Sequence, residues 1–169
     1  MIAIKHILVA TDFSATAEKA LSYGRALAQA WGARLHVMHV VDGAFLGPHA
    51  RDPKTTEEAA RRHLDRRLTE EDRKALRAVA IVESSHSPAK SIVGYARAAD
   101  IDCIVTGTSG RTGAARVLIG SIAEQIVRTA PCPVLAVRLQ ERDFVVPDGD
   151  DARRRPEDPE SPVHADSRS

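Results

Sequence analysis

Residues 107–121 read Gly107-Thr-Ser-Gly110-Arg-Thr-Gly113-Ala-Ala-Arg116-Val-Leu-Ile-Gly120-Ser121 and place four glycines between two regular segments. Before this stretch, residues 101–106 form an apolar run of strand type, and after it residues 122–129 have the apolar spacing of a helix. A glycine loop between a strand and a helix leaves backbone N–H groups accessible at the positive end of the helix dipole. The stretch therefore predicts an anion site, usually for phosphate. Ser121 offers a hydroxyl that either caps the helix or bonds a phosphate oxygen.

The glycine spacing matches neither of the two common phosphate-binding motifs. It lacks the Gly-Lys-Ser/Thr ending of a Walker A loop, and the first predicted strand carries no GxGxxG turn of the dinucleotide-binding kind. From the spacing alone, a flexible glycine turn that binds nothing stays an open alternative, because isolated glycine patterns arise often.

The rest of the chain alternates short apolar runs with segments of helical spacing. Helical patterns begin after Ser14, at the Thr55–Glu58 capping box, after Thr69 and at Pro88. The prolines on either side of Cys132 favour an edge position for the last strand, or a strand that pairs late. The alternation predicts an α/β fold, an open five-stranded parallel sheet with helices on both faces. The predicted strands are residues 2–10, 34–41, 78–82, 101–106 and 134–137.

Length and composition indicate one soluble domain followed by a tail. A chain of 169 residues has room for one core, and we place the domain at residues 1–140. Residues 141–169 are rich in charge and proline and poor in apolar side chains, so we expect a disordered tail.

The charge balance argues against two classes of partner. The net charge of +1 and the aromatic content of 4% speak against nucleic acid and membrane surfaces. We expect a cytoplasmic protein, since no apolar signal segment or transmembrane stretch is visible. Cys103 and Cys132 lie far apart in apolar surroundings, which favours two buried, reduced thiols.

Three stretches of the chain resemble the universal stress protein superfamily of the UspA-like, ATP-binding type. The pattern Gly-x2-Gly-x9-Gly-Ser/Thr is filled by Gly107, Gly110, Gly120 and Ser121. The opening residues 7–14 and the closing residues 130–137 are also similar to that family, and the likeness covers the chain from about Lys5 to Arg138. The resemblance implies a fold like that of the adenine nucleotide alpha hydrolases, with strand order 3-2-1-4-5.

That strand order implies a ligand site, because open α/β sheets bind ligands where the order reverses, here between strands 1 and 4. The resemblance implies that Asp12 and the backbone of Val40 meet the nucleoside. Asp12 has an alternative role as a turn or helix-capping acid, and Arg111 has one as a solvated loop side chain. The nucleotide-binding residues predicted in this way are Thr11, Asp12, Val40, Gly107, Gly110, Arg111, Gly113, Gly120 and Ser121.

The case for an enzyme is weak, and at most slow ATP hydrolysis is expected. The loop has no lysine, and no clear second carboxylate follows a strand end near it. We assign no metal ligands, although Mg²⁺ carried by ATP is compatible with Asp12 and Ser121. His36 and His39 point to opposite faces of one strand and therefore do not form a metal pair.

The leading hypothesis is an ATP-binding regulatory module of the stress response. The resemblance implies a homodimer through the last strand, Val134–Val137. His86 stands where the family usually has glycine, and it either fills part of the nucleoside space or stacks on a base. A nucleotide-free interaction protein of the same fold and a slow ATPase remain the alternatives.

Overall fold

The fold is a parallel sheet whose strands lie in the order β3-β2-β1-β4-β5, as a computed structural model shows for residues 3–42, 53–108 and 120–139. Every neighbouring pair of strands is parallel. The predicted fold class and strand order are therefore confirmed, and so is the edge position of the last strand. The strands are β1 (His6–Ala10), β2 (Arg34–Asp42), β3 (Val79–Ser85), β4 (Cys103–Gly107) and β5 (Val134–Val137).

Helices cover both faces of this sheet. Leu64 of the second helix and Leu68 directly after it join a buried cluster on one face, and Ile92 and Ile126 of the last two helices join a cluster on the other. The helices of the described residues are α1 (Ala15–Trp31), α2 (Pro53–Arg67), α3 (Glu70–Ala75), α4 (Pro88–Ala98) and α5 (Ser121–Thr129).

Strand β1 lies at the centre of the core. Ile7, Leu8 and Val9 are fully buried. Because side chains of a strand alternate between faces, Ile7 and Val9 pack in the cluster under α1 and α2, whereas Leu8 packs in the cluster under α4. The nearly continuous apolar run at the start of the sequence is thus explained by burial on both sides.

Two helix boundaries follow the predicted capping residues. The Ser14 hydroxyl accepts the N–H of Ala17, and Gly32 ends α1 in the left-handed region at φ 62°. Thr69 and Asp72 form a reciprocal capping box at the start of α3. The Ser14 cap fixes where α1 begins after the carboxyl end of β1, which is the region that concerns function.

Other boundaries differ from the sequence prediction. Strand β1 begins at His6 because the Asp102 carboxylate accepts the N–H groups of Lys5 and His6, at 2.7 and 2.9 Å. Strand β3 continues to Ser85, since its pairing with β2 extends that far. Helix α2 begins at Pro53, before the predicted capping box, because proline is well suited to a first helical position.

Both thiols are free and half-buried, less enclosed than predicted. Burial raises the pKa of the Cys103 thiol and that of the Cys132 thiol.

No helix within the described ranges is both long and apolar enough to cross a membrane. The predicted tail, 141–169, lies outside the residues that the structure describes.

Candidate functional site

The order of the strands reverses between β1 and β4, and the carboxyl ends of these two strands form one crevice. Ala10 is paired with Thr106, so Thr11 and Gly107 follow side by side at the carboxyl end of the sheet. On the other side of β1, Ala10 is paired with Met38, which places Asp12 level with Val40. Four of the predicted site residues, from three separate parts of the sequence, therefore meet at one end of the sheet.

The loop that follows β1 satisfies its own backbone groups. The Thr11 hydroxyl accepts the N–H of Phe13 at 3.1 Å, and the Asp12 carboxylate accepts the N–H of Ser14 at 3.0 Å. Asp12 therefore has the turn-forming role that we considered as an alternative. Because Ser14 in turn caps α1, the amino end of that helix already has side-chain acceptors.

Gly107 allows α1 to approach the end of β4. A Cβ atom at position 107 would lie 2.9 Å from Cγ2 of Thr16 and 3.2 Å from the backbone carbonyl carbon of the same residue. At Gly120 a Cβ atom would lie 3.2 Å from the carbonyl oxygen of Thr108. Gly107 thus has a packing reason to be glycine that does not depend on any ligand, and a side chain at Gly120 would make a tight contact.

The amino end of α5 differs from that of α1 because no side chain in the described part of the chain caps it. Gly120 is the N-cap residue and its N–H donates to the carbonyl of Thr108 at 2.5 Å, while no side-chain cap is formed. The first N–H groups of a helix have no partner within the helix, so those of Ser121, Ile122 and Ala123 point out of the first turn. Helix amino ends of this kind are suited to anions.

Ser121 does not cap α5, so one of the two predicted roles of its hydroxyl is wrong. The residue is the first of the helix rather than its N-cap, and its side chain is exposed beside the uncapped N–H groups. The side chain that accepts an N–H group of the first turn is normally that of the N-cap residue, which is one position before Ser121. The second predicted role, contact with a phosphate oxygen, stays a prediction.

Buried threonine side chains are grouped at this end of the sheet. Four threonines at the ends of β1 and β4 and in the first turn of α1 are each at most 8% exposed: Thr11, Thr16, Thr106 and Thr108. Within the described part of the chain, no group of three or more His, Cys, Asp or Glu side chains could hold a metal ion. Gly110, Arg111 and Gly113 lie outside the described residues.

The two histidines of β2 lie on opposite faces of the sheet, as the sequence predicts. Nδ1 of His39 lies 2.8 Å from the carbonyl oxygen of Thr11, on the face covered by α1 and α2. His36 lies on the other face, where its Nδ1 is 2.8 Å from the Tyr95 hydroxyl and its Nε2 is 3.1 Å from Nδ1 of His6. His36 is near the amino ends of the strands, at the end opposite the crevice.

The environment of His36 keeps its ring neutral. Burial, followed by the nearby His6 and Arg34, lowers its pKa from 6.5 to about 4. Its hydrogen-bonded partner is also affected, since burial raises the pKa of Tyr95. This network belongs to the core and not to the crevice.

Phe13 beside the crevice was not singled out by the sequence prediction. Its ring lies between the rings of His39 and His63, with centroids 4.3 and 4.2 Å away. The only sequence feature that pointed to it was its position directly after Asp12. His86, the departure from the family pattern, is exposed after β3, and β2 and β3 separate it from β1.

A second depression lies away from the crevice. It measures about 180 Å³ and is lined by Glu57, Glu58, Arg61 and Val82, between α2 and the edge strand β3. Its charged walls and its distance in the sheet order from β4 separate it from the residues assembled at the switch point.

The sheet order and the crevice define a doubly wound α/β domain of the type that binds ligands at the strand switch point. The chain belongs to the universal stress protein family, whose family model matches residues 3–138. It is 31% identical to a universal stress protein of Methanocaldococcus jannaschii over 151 residues, 82% of this chain and 85% of that protein. A universal stress protein of Thermus aquaticus is 36% identical over 140 residues, 79% of this chain and 98% of that protein.

Solved structures agree with this assignment. The universal stress protein UspA from Lactobacillus plantarum is 28% identical, with a TM-score of 0.66, over 82% of this chain and 100% of that one. A universal stress protein in complex with cAMP is 21% identical, with a TM-score of 0.60 over 82% of this chain and 100% of its own. The Archaeoglobus fulgidus protein in complex with dAMP is 22% identical, with a TM-score of 0.58 over 81% and 99%. At such identities the last two show a shared fold.

Proposed function

We propose that this chain is a nucleotide-binding regulatory module that takes ATP into the crevice between β1 and β4. The observation that carries the proposal is the uncapped amino end of α5, which lies across the crevice from the loop that bears Thr11 and Asp12. Of the two helices that begin at this end of β1 and β4, α1 has a side-chain cap in its first turn, whereas no side chain of the described residues caps α5.

The two sides of the crevice have different chemistry and so suit different parts of a nucleotide. The N–H groups of α5 and the Ser121 hydroxyl suit phosphate, together with Gly120 and the predicted loop residues Gly110, Arg111 and Gly113. Thr11, Asp12, Val40 and Gly107 suit the nucleoside, because they offer hydroxyl, carboxylate and backbone groups at a narrow edge.

Mg²⁺ carried by ATP fits the donor set only in part. The Asp12 carboxylate and the Ser121 hydroxyl are oxygen donors, which the ion prefers, and phosphate oxygens would complete its shell. Bound there, the ion would offset phosphate charge. Because the described residues hold no cluster of three metal-binding side chains, the nucleotide and not the protein would supply most of the ligands.

The comparisons support this proposal indirectly. Membership of the universal stress protein family supports a role in the stress response, and two proteins of the same fold are described in complex with cAMP and with dAMP. We propose a cytoplasmic homodimer that pairs through β5. Within the described residues β5 pairs only with β4, so its other edge carries unpaired backbone groups suited to a second strand.

A substitution at the first position of α5 tests the phosphate side directly. Ser121→Pro removes the N–H of residue 121, and proline is well tolerated at the first helical position. The preceding Gly120 is extended, at φ −68° and ψ 154°, which is the conformation that a residue before proline requires. Ser121→Ala is the matched control, since it removes the hydroxyl and keeps the N–H.

Calorimetric titration with ATP and with adenosine would read both variants, after circular dichroism has verified the fold. We expect Ser121→Pro to weaken ATP binding by about 10- to 100-fold, the loss of one hydrogen bond to a charged group, and Ser121→Ala to weaken it less. Adenosine should bind all three proteins equally. Equal ATP affinity in all three would refute the phosphate site on α5. A wild-type protein that bound no nucleotide at millimolar concentration would instead favour a nucleotide-free interaction protein.

A further inference from the structure

Three aromatic rings form a stack that joins the loop after β1, strand β2 and helix α2. The Phe13 ring is the middle member, 4.3 Å from the His39 ring and 4.2 Å from the His63 ring, at interplanar angles of 33° and 35°. The Arg67 guanidinium lies 5.8 Å from the centre of the Phe13 ring, and its Nη2 lies 3.0 Å from Nε2 of His63. We call Phe13, His39 and His63 the ring stack.

His39 also holds the backbone of the same loop. Nδ1 of His39 lies 2.8 Å from the carbonyl oxygen of Thr11. A carbonyl oxygen only accepts, so Nδ1 carries the proton and donates. The N–H of Thr11 donates to the carbonyl of Met38 at 2.9 Å, directly before His39 in β2. The loop is therefore fixed to β2 by two hydrogen bonds and by one ring contact.

Phe13 adopts a backbone conformation that a side chain disfavours. Its φ is 65°, in the left-handed region, where a residue other than glycine is uncommon. The conformation costs about 1–2 kcal/mol and persists where surrounding contacts compensate for it. Rings on both sides of Phe13 supply such contacts, and strained residues of this kind concentrate at ligand sites.

The stack joins the two backbone segments that the proposed site assigns to the nucleoside. Phe13 follows Asp12, and His39 precedes Val40. Side chains alternate along β2, so His39 faces the cluster under α1 and α2 while Val40 packs on the opposite face. The stack therefore lies on the side of the sheet covered by α1 and α2, opposite the side on which Val40 packs.

We propose that His39 is a positioning residue of the nucleotide site, which sets Asp12 against Val40 through the Thr11 hydrogen bond and the ring stack. The inference rests on the proposed function, because it names the residue on which the nucleoside side of that same site depends. It also predicts that ligand binding in the crevice changes the environment of α2, since His63 on that helix is the outer ring of the stack.

Two substitutions at His39 separate its two contacts. His39→Asn keeps an N–H donor close to the position of Nδ1 and removes the ring, whereas His39→Phe keeps a ring and removes the donor. Calorimetric ATP titration of each variant gives the dissociation constant. We expect each to weaken ATP binding by about tenfold, because a displaced loop loses part of its alignment with the ligand.

The matched control is Asp102→Asn, which disrupts a structural contact at the opposite end of β1. The Asp102 carboxylate accepts the N–H groups of Lys5 and His6, at 2.7 and 2.9 Å. A merely destabilised protein that remains almost entirely folded keeps its dissociation constant, so Asp102→Asn should bind ATP within about twofold of wild type. If it lost as much affinity as the His39 variants, the positioning role would be wrong.

A variant at the outer ring gives a second test that does not alter β2. His63→Ala removes an exposed side chain, and we expect a two- to threefold loss of ATP affinity, a smaller effect than at His39. In the wild type, ATP should also shift the NMR signals of the His63 ring, which does not belong to the proposed nucleotide site. Affinities equal to wild type in all His39 and His63 variants would overturn the inference while leaving the proposed function intact. A wild type that bound no ATP would overturn both.

Discussion

The buried histidine His36 should make the protein less stable as the pH falls from neutral to about 4. Its pKa is about 4 in the folded protein, against 6.5 for an ordinary histidine, mainly because the ring is buried. Between these values the unfolded chain binds a proton that the folded protein does not bind, so acid favours unfolding. Below about pH 4 both states are protonated at this position and the effect ends.

The size of this effect follows from linkage. At about 1.4 kcal/mol for each pH unit between 6.5 and 4, the full loss is about 3 kcal/mol. Solvent that reaches the ring after a small movement reduces the value, and we expect a loss of about 1–2 kcal/mol. The groups that face the ring are His6, Arg34 and the Tyr95 hydroxyl, and the two nearby basic groups act in the same direction as burial.

Urea unfolding between pH 7.5 and 4, followed by far-UV circular dichroism, measures this loss. His36→Gln retains hydrogen-bonding capacity and does not titrate, so the difference between wild type and variant isolates His36 from carboxylates that titrate in the same range. Tyr95→Phe tests whether burial, rather than the hydrogen bond to Tyr95, lowers the pKa of His36. In this variant the His36 ring stays buried without its 2.8 Å hydrogen bond, and the pH effect should remain. Parallel pH profiles for wild type and His36→Gln would show that the ring is not held neutral.

Asp72→Asn should lower the free energy of unfolding by about 1–3 kcal/mol at pH 7 in urea titrations, because it leaves the Arg25 guanidinium without its carboxylate. Burial opposes ionisation of Asp72, but hydrogen bonds from Arg25 and Thr69 outweigh it and lower the pKa of its carboxyl group from 3.8. The stability advantage of the wild type over Asp72→Asn should therefore vanish as the pH falls through that lowered pKa. Gly107→Ala should cost about 1–3 kcal/mol in thermal unfolding, since a Cβ atom would lie 2.9 Å from Thr16 Cγ2. The exposed helical Gly94, with nothing within 4 Å of an added Cβ, is the control and should gain up to about 1 kcal/mol on change to alanine.

The sequence predicted the elements of the fold because burial sets the spacing of apolar residues along each strand and helix. Ile7, Leu8 and Val9 are fully buried on both faces of the sheet, and such a run is visible without coordinates. Caps at Ser14 and Thr69 were also predictable, since they use local hydrogen bonds between residues three apart. The strand order was different in kind: it came from the family resemblance, because alternation of strands and helices alone leaves several orders open.

The boundaries that were wrong depend on contacts between distant residues. Strand β1 begins at His6 because Asp102, almost a hundred positions later, accepts the N–H groups before it. Strand β3 reaches Ser85 because Asp42 is there to pair with it. No local pattern carries either contact. The ring stack is a similar case, since Phe13, His39 and His63 come from a loop, a strand and a helix.

The glycine motif predicted where Gly107 and Gly120 lie in the fold better than it predicted what each of them does. The pattern directed attention to Gly107 and Gly120, and both lie at the switch point. Yet Gly107 is required by the approach of Thr16, and the N–H of Gly120 is already bonded to Thr108. The groups left for an anion are the N–H groups of the residues after Gly120. The glycines therefore act first by letting α1 and α5 come close to β4.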